Sequence, residues 1–176
     1  MAGTLTVQNI EGPSSGANAN KVIIPSGQTL YAPGHVISAT RIHLDTQQTT
    51  STTSFIDVTN GSVTVTPKSS SSTFLVSASC HGYTNTAGTG SWSSLILRLM
   101  RDTVDLGGTL TSDPYFGAII NPTFDEAMHQ PSISRSDSPN TTSAITYKVQ
   151  MFTKNGKTVT TNRFSSGFLE VIEVAG

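Results

Sequence analysis

Serine and threonine alternate with aliphatic residues through most of this chain, as in Ser62-Val63-Thr64-Val65-Thr66. A period of two is the spacing of a strand with one buried and one wetted face, so the pattern predicts a mostly antiparallel, all-β protein. Of the 176 residues, 51 are Ser or Thr and 12% are charged, which makes the outward faces polar without making them charged. Chains that stay unfolded combine low hydrophobicity with high net charge; here the net charge is −1 and the 35% apolar residues sit in strand-like runs. The length suits one domain with a short appendage.

Ten Lys/Arg stand against eleven Asp/Glu. Lys21, Arg41, Lys68, Arg98 and Arg135 fall on different candidate elements, so no basic stripe forms and no nucleic-acid partner is expected. No apolar stretch approaches the roughly twenty residues needed to span a bilayer, and Met1-Ala2-Gly3-Thr4 lacks the basic start of a signal peptide, so a soluble product made in the cytoplasm is expected. Cys80 is alone and cannot close an intrachain disulfide, which leaves stability to packing and subunit association.

The chain divides near Pro33-Gly34 into an extended segment, residues 1–34, and a β-sandwich head, residues 35–176. In the segment, turn formers such as Gly12-Pro13-Ser14-Ser15-Gly16 separate short β-like pieces, whose Leu5, Val7, Val22 and Ile24 are the apolar contacts offered to a docking partner. In the head, Val36, Ile42 and Leu44 are expected on one face of the first strand. Asn60-Gly61 predicts a tight hairpin between the runs around Ile56 and Val63, and Asn155-Gly156 a second one onto Val159, Thr161 and Arg163. Phe74, Val76, Ala78 and Cys80 share a core face. Leu95, Leu97 and Leu99 alternate with Ile96, Arg98 and Met100, and Phe168, Val171, Ile172 and Val174 crowd the last run, so these two strands carry apolar residues on both sides. That surplus assigns Leu95, Leu97, Leu99, Phe168, Val171, Ile172 and Val174 to core or trimer packing. About eight to ten strands at this spacing make an antiparallel two-sheet sandwich, with the jelly roll as the expected form.

Catalysis finds little footing. The acids Asp102, Asp105, Asp113, Asp125, Glu126, Asp137, Glu170 and Glu173 form no diagnostic pair, and Glu170 and Glu173 face opposite ways on a strand. Asp125-Glu126 with His129 reads as solvated loop, no Gly-x-Ser-x-Gly elbow occurs, and His35 and His43 lie roughly 26 Å apart on a straight strand, too far to share a metal. No enzyme activity, cofactor or metal is expected. Trp92, between Ser91 and Ser93, with Tyr83, Asn85 and Tyr115, is a candidate shallow site for a sugar ring; the alternative places Trp92 beneath its loop as an anchor.

The phrases at residues 20–30 (Asn20-Lys21-Val22-Ile23-Ile24-Pro25-Ser26-Gly27-Gln28-Thr29-Leu30), 65–72 (Val65-Thr66-Pro67-Lys68 and four serines) and 169–176 (Leu169-Glu170-Val171-Ile172-Glu173-Val174-Ala175-Gly176) resemble those of small tail-fibre-like virion proteins of bacteriophages, notably marine and cyanobacterial ones. The resemblance implies a homotrimer in the virion, whose slender N-terminal segment attaches to other virion proteins. It also implies that the C-terminal head, similar to tumour-necrosis-factor-like jelly rolls, faces outward, where the aromatic candidates above make a host-surface glycan the expected partner. On this reading the chain is a trimeric tail-fibre or tail-tip component; a capsid-surface fibre, knob or decoration protein is the nearest alternative, and a free carbohydrate-binding module a more distant one.

Overall fold

The computed structural model describes residues 13–17, 22–24, 26, 32–85, 93–107, 117–120, 126–154 and 157–176. The chain forms two compact units, Met1–Tyr31 and Ala32–Gly176. In the first unit the side chains of Val22, Ile23 and Ile24 are exposed, while Leu5 and Val7 lie outside the described residues.

Strands account for the second unit, and no helix occurs among the described residues. In chain order they are β1 (Val36–Leu44), β2 (Gln48–Thr50), β3 (Ile56–Val65), β4 (Thr73–Ser79), β5 (Gly82–Asn85), β6 (Ser93–Arg101) and β7 (Val104–Asp105). There follow β8 (Gly117–Ile120), β9 (Glu126–His129), β10 (Ser132–Asp137), β11 (Ile145–Lys154), β12 (Val159–Thr161) and β13 (Gly167–Val174). Every pairing is antiparallel, in sheets ordered β1-β13-β4-β10, β2-β12-β5-β9 and β3-β11-β6-β7, with β8 also on β6.

The first two of these sheets are one long layer. Their strands follow the same order because β1 runs on into β2, β4 into β5, β9 into β10 and β12 into β13. Ser132 faces Ser79, and His129, three residues earlier, faces Gly82, three residues later, so this ladder keeps step across the gap. Inside the gap the Cys80 N–H donates to Pro131 O at 3.2 Å. The interruption comes from the neighbouring strand: Thr161 also faces Gly82 and Phe168 faces Ser79, so six residues oppose two, and the four surplus to the ladder make residues 162–166 loop out. Asn162 opens the loop with φ of 54°, a conformation asparagine tolerates, while its N–H still reaches His81 O at 2.7 Å.

The layer around β11 and β6 closes the sandwich. Between the layers lie Leu44, Phe74, Val76, Ala78, Tyr147, Val149, Met151 and Leu169, all fully buried. Leu95, Leu97, Leu99 and Val171 belong to this core as well. Ile96 and Met100, on the opposite face of β6, are 3% and 7% exposed in the single chain, so that strand has no apolar surplus left for a sister subunit. Cys80 is wholly buried, and burial pushes its thiol up to about 12, which keeps it protonated and inert at neutral pH.

Three local expectations are corrected. Asn60-Gly61 does not reverse the chain: β3 continues through it, and the positive φ of Asn60 (59°) serves a bulge, since Ser62 faces Lys148 while Asp57 faces Gln150. Gly61 is required there because a Cβ would stand 2.8 Å from Val58 O and 2.9 Å from Val149 Cγ1. The run from Ile145 and that from Val159 do not form a hairpin ladder, because β12 pairs with β2 and β5 whereas β11 pairs with β3 and β6; Asn155 and Gly156 themselves lie outside the described residues. Val36 leaves the face of Ile42 and Leu44, because the register shifts between Val36 and Ser38, and it ends half exposed beside Val174.

Candidate functional site

Two surfaces of the long layer stand out, both on the side turned away from the core. The first is in the half built by β2, β12, β5 and β9. There Thr50, Val159 and Thr84 face inward in one row and Gln48, Thr161, Gly82 and His129 in the next, as the complete burial of Val159 and Thr161 shows. The intervening row, Thr49, Thr160, Tyr83 and Met128, therefore points outward. Met128 is 63% exposed, yet Tyr83 is only 5% exposed, because the looped-out residues 162–166 fold across it. Phe164 stands edge-on to Tyr83 at 5.3 Å and to His81 at 6.3 Å, and the Arg163 guanidinium lies 4.4 Å over the Tyr83 ring and 4.9 Å from that of Phe164. The outcome is a platform with a tyrosine floor, an exposed phenylalanine (58%) and a guanidinium held by ring faces.

The charge on this platform is not neutralised by any described residue. Arg41 pairs with Glu170 at 3.8 Å, Arg98 with Asp105 at 3.2 Å and Arg101 with Asp137 at 2.7 Å. No carboxylate pairs with Arg163 among the described residues. Beneath the platform His81 is buried and its Nδ1 lacks a hydrogen-bond partner, as does Asn162 Oδ1.

On the inward side His129 folds over Gly82, where a Cβ would come within 2.5 Å of Nε2, and both of its ring nitrogens are buried without partners. Burial, and secondarily the nearness of His81, lower the His129 pKa from 6.5 to about 4. The folded state thus refuses a proton that the unfolded chain accepts. Stability from this group is intact above pH 6.5 and falls as the pH drops from 6.5 towards 4, by at most about 1.4 kcal/mol per pH unit for one proton and by less where solvent screens the ring. Urea midpoints between pH 7 and 4.5 are expected to fall more steeply for the wild type than for His129→Gln; parallel curves would contradict this.

The second surface is in the half built by β1, β13, β4 and β10. Its outward rows are Val36, Val174 and Thr73; Ala39, Ile172, Leu75 and Ser136; Arg41, Glu170, Ser77 and Ser134; and His43, Phe168, Ser79 and Ser132. The first two rows are mostly apolar, with Val36 at 50% and Leu75 at 45% exposure and Ile172 and Val174 half-buried between them. Polar groups of this face already have partners in Ser77 with Ser134 at 2.9 Å and Thr73 with Ser138 at 3.2 Å. Arg41, besides its Glu170 contact, lies 4.1 Å over the Phe168 ring. A face whose polar groups bond to one another can be covered without stranding a donor or acceptor.

Of the residues singled out in the sequence for a sugar, Tyr83 alone is described in full, and it is the floor of the platform rather than an open stacking face. Trp92 and Tyr115, and the side chain of Asn85, lie outside the described residues. Phe168, Ile172 and Val174 line the second surface. Sequence reasoning passed over Phe164 and Met128 and placed Arg163 in a hairpin strand. The signal that marks the loop is Asn162, prone to positive φ, followed closely by Ser165-Ser166-Gly167. No protein-family model matches the chain, and no curated protein matches it.

Proposed function

We propose that this chain is a non-enzymatic structural protein of a bacteriophage virion, the jelly-roll head and attachment segment of a homotrimeric fibre that adheres to the host surface. The observation that carries the reading is the apolar outward face of β1, β13 and β4, where Val36, Ala39 and Leu75 are exposed among the described residues, Ile172 and Val174 are half-buried beside them, and Thr73 and Ser77 are already bonded. Such a face is suited to burial against like copies, and the net charge of −1 sets no repulsion against it.

Strand order supports the jelly-roll form. With each interrupted strand counted once, and β7 and β8 as pieces of the fifth, one layer runs first-eighth-third-sixth and the other second-seventh-fourth-fifth, the arrangement of two interlocked Greek keys. The apolar rows lie at the end of the sandwich where the head begins and ends, since Gly34 N donates to Ala175 O at 2.7 Å. The aromatic platform lies at the other end. That polarity suits a base that associates and a far end that meets the host. The virion assignment itself draws on the sequence resemblance, and the exposed Val22, Ile23 and Ile24 are the described apolar groups of the first unit that a docking partner would cover. Weak sites displayed in several copies on a rigid particle gain avidity from effective concentration alone. Immunogold labelling of purified virions with antibody to this chain tests the assignment: label at the tail fibres or tip is expected, and unlabelled virions would overturn it.

A further inference from the structure

We infer that the platform of Arg163, Phe164 and Tyr83 binds saccharides that carry an anionic group, with Arg163 as the residue that selects for the charge. The inference rests on the host-attachment reading and specifies the ligand. Three facts carry it. Arg163 has no carboxylate partner among the described residues, although Arg41, Arg98 and Arg101 each have one. Its guanidinium is nonetheless held in place, 4.4 Å over Tyr83 and 4.9 Å from Phe164, so little side-chain freedom remains to be lost when an anion arrives. Phe164 beside it, and Met128 paired with Tyr83 on β9, 58% and 63% exposed, offer the apolar surface that the C–H face of a pyranose ring covers. A planar, preorganised cation next to an open aromatic ring matches a sugar bearing a carboxylate or a phosphate, since either oxyanion accepts two parallel N–H bonds from a guanidinium. A neutral sugar satisfies only the aromatic half of the platform.

The test uses the full chain in biolayer interferometry against three immobilised glycans of similar length: oligogalacturonate, a phosphorylated mannan oligosaccharide and its unphosphorylated form. At low salt at least one of the two anionic glycans is expected to bind about tenfold or more tightly than the neutral mannan, with the better of the two identifying the anion as carboxylate or phosphate. Arg163→Gln is expected to remove that advantage, Arg163→Lys to restore part of it, and Phe164→Ala to weaken every glycan that binds. Because Arg163 is exposed, the melting temperature of each Arg163 variant serves as the check that the fold is kept. Equal binding of neutral and anionic glycans, anionic binding untouched by Arg163→Gln, or binding of none of the three would overturn the inference. Virions that label at the tail while the glycan preference fails would leave the attachment reading standing; unlabelled virions would remove both.

Discussion

Asp137→Ala is expected to cost about 3 kcal/mol of stability, the largest loss of any single side-chain truncation considered for this protein. Asp137 ends β10 in one layer, while Arg101 on β6 and Tyr147 on β11 belong to the other. The Arg101 guanidinium donates to both carboxylate oxygens at 2.7 and 2.9 Å, and the Tyr147 hydroxyl donates to one of them at 2.7 Å. Tyr147 is fully buried against Phe74, with ring centroids 5.5 Å apart; its burial, and then its bond to Asp137, raise the phenol far above its ordinary range, so it remains a donor at any working pH. Removing the carboxylate strands a mostly buried guanidinium and a buried hydroxyl together, whereas Tyr147→Phe removes one neutral donor and should cost about 1 kcal/mol. Urea unfolding at fixed protein concentration measures both. A loss for Asp137→Ala no greater than that for Tyr147→Phe would show that the clamp contributes little.

Glu173→Leu ranks second, at about 2 kcal/mol. Glu173 is 2% exposed on the inward side of β13, and no cation pairs with it among the described residues. Its Oε1 accepts the Lys68 N–H at 2.6 Å and the Ser72 hydroxyl at 2.8 Å, and its Oε2 accepts the Ser38 hydroxyl at 3.3 Å. The carboxylate thus pins the connection between β3 and β4 beneath the last strand. Leucine would leave a backbone N–H and a buried hydroxyl without acceptors, although its apolar volume recovers part of the loss; Glu173→Gln keeps one acceptor and should cost less. Hydrogen exchange localises the effect: faster exchange at Lys68 and Ser72 is expected in Glu173→Leu, and unchanged exchange there would refute the pinning role.

The all-β class and the core were legible because period two survives wherever one face is buried: Phe74, Val76 and Ala78, or Val149 and Met151, announce their side of the sheet directly. Turns were less legible, because the conformational licence of Asn-Gly fits a bulge as well as a hairpin; only the pairing partner of β3 decides, and that partner is β11, far away in the chain. The register shift that turns Val36 outward depends equally on β13. Glu173 reads in sequence as a polar interruption of an apolar strand, since nothing near it reveals that its donors are the Lys68 N–H and the Ser72 hydroxyl. The platform stayed hidden for the same reason: Arg163 and Phe164 meet Tyr83 and His81 only after β12 and β5 have paired. Surplus apolar surface is expected on β6 and β13; the single chain buries it on β6 but only half-buries it on β13, beside the exposed Leu75.

Whether like copies cover that open face is tested most directly by light scattering on the eluting protein at tens of micromolar, with wild type and Leu75→Asp compared. Leu75 is exposed in the single chain, so an aspartate there should leave the protomer folded while placing a charge in the contact. The expected result is a wild-type mass of three times 18.5 kDa that falls to 18.5 kDa in the variant, with an unchanged circular dichroism spectrum. A wild-type protein of 18.5 kDa at that concentration would contradict the account, and a trimer indifferent to Leu75→Asp would move the contact to another face.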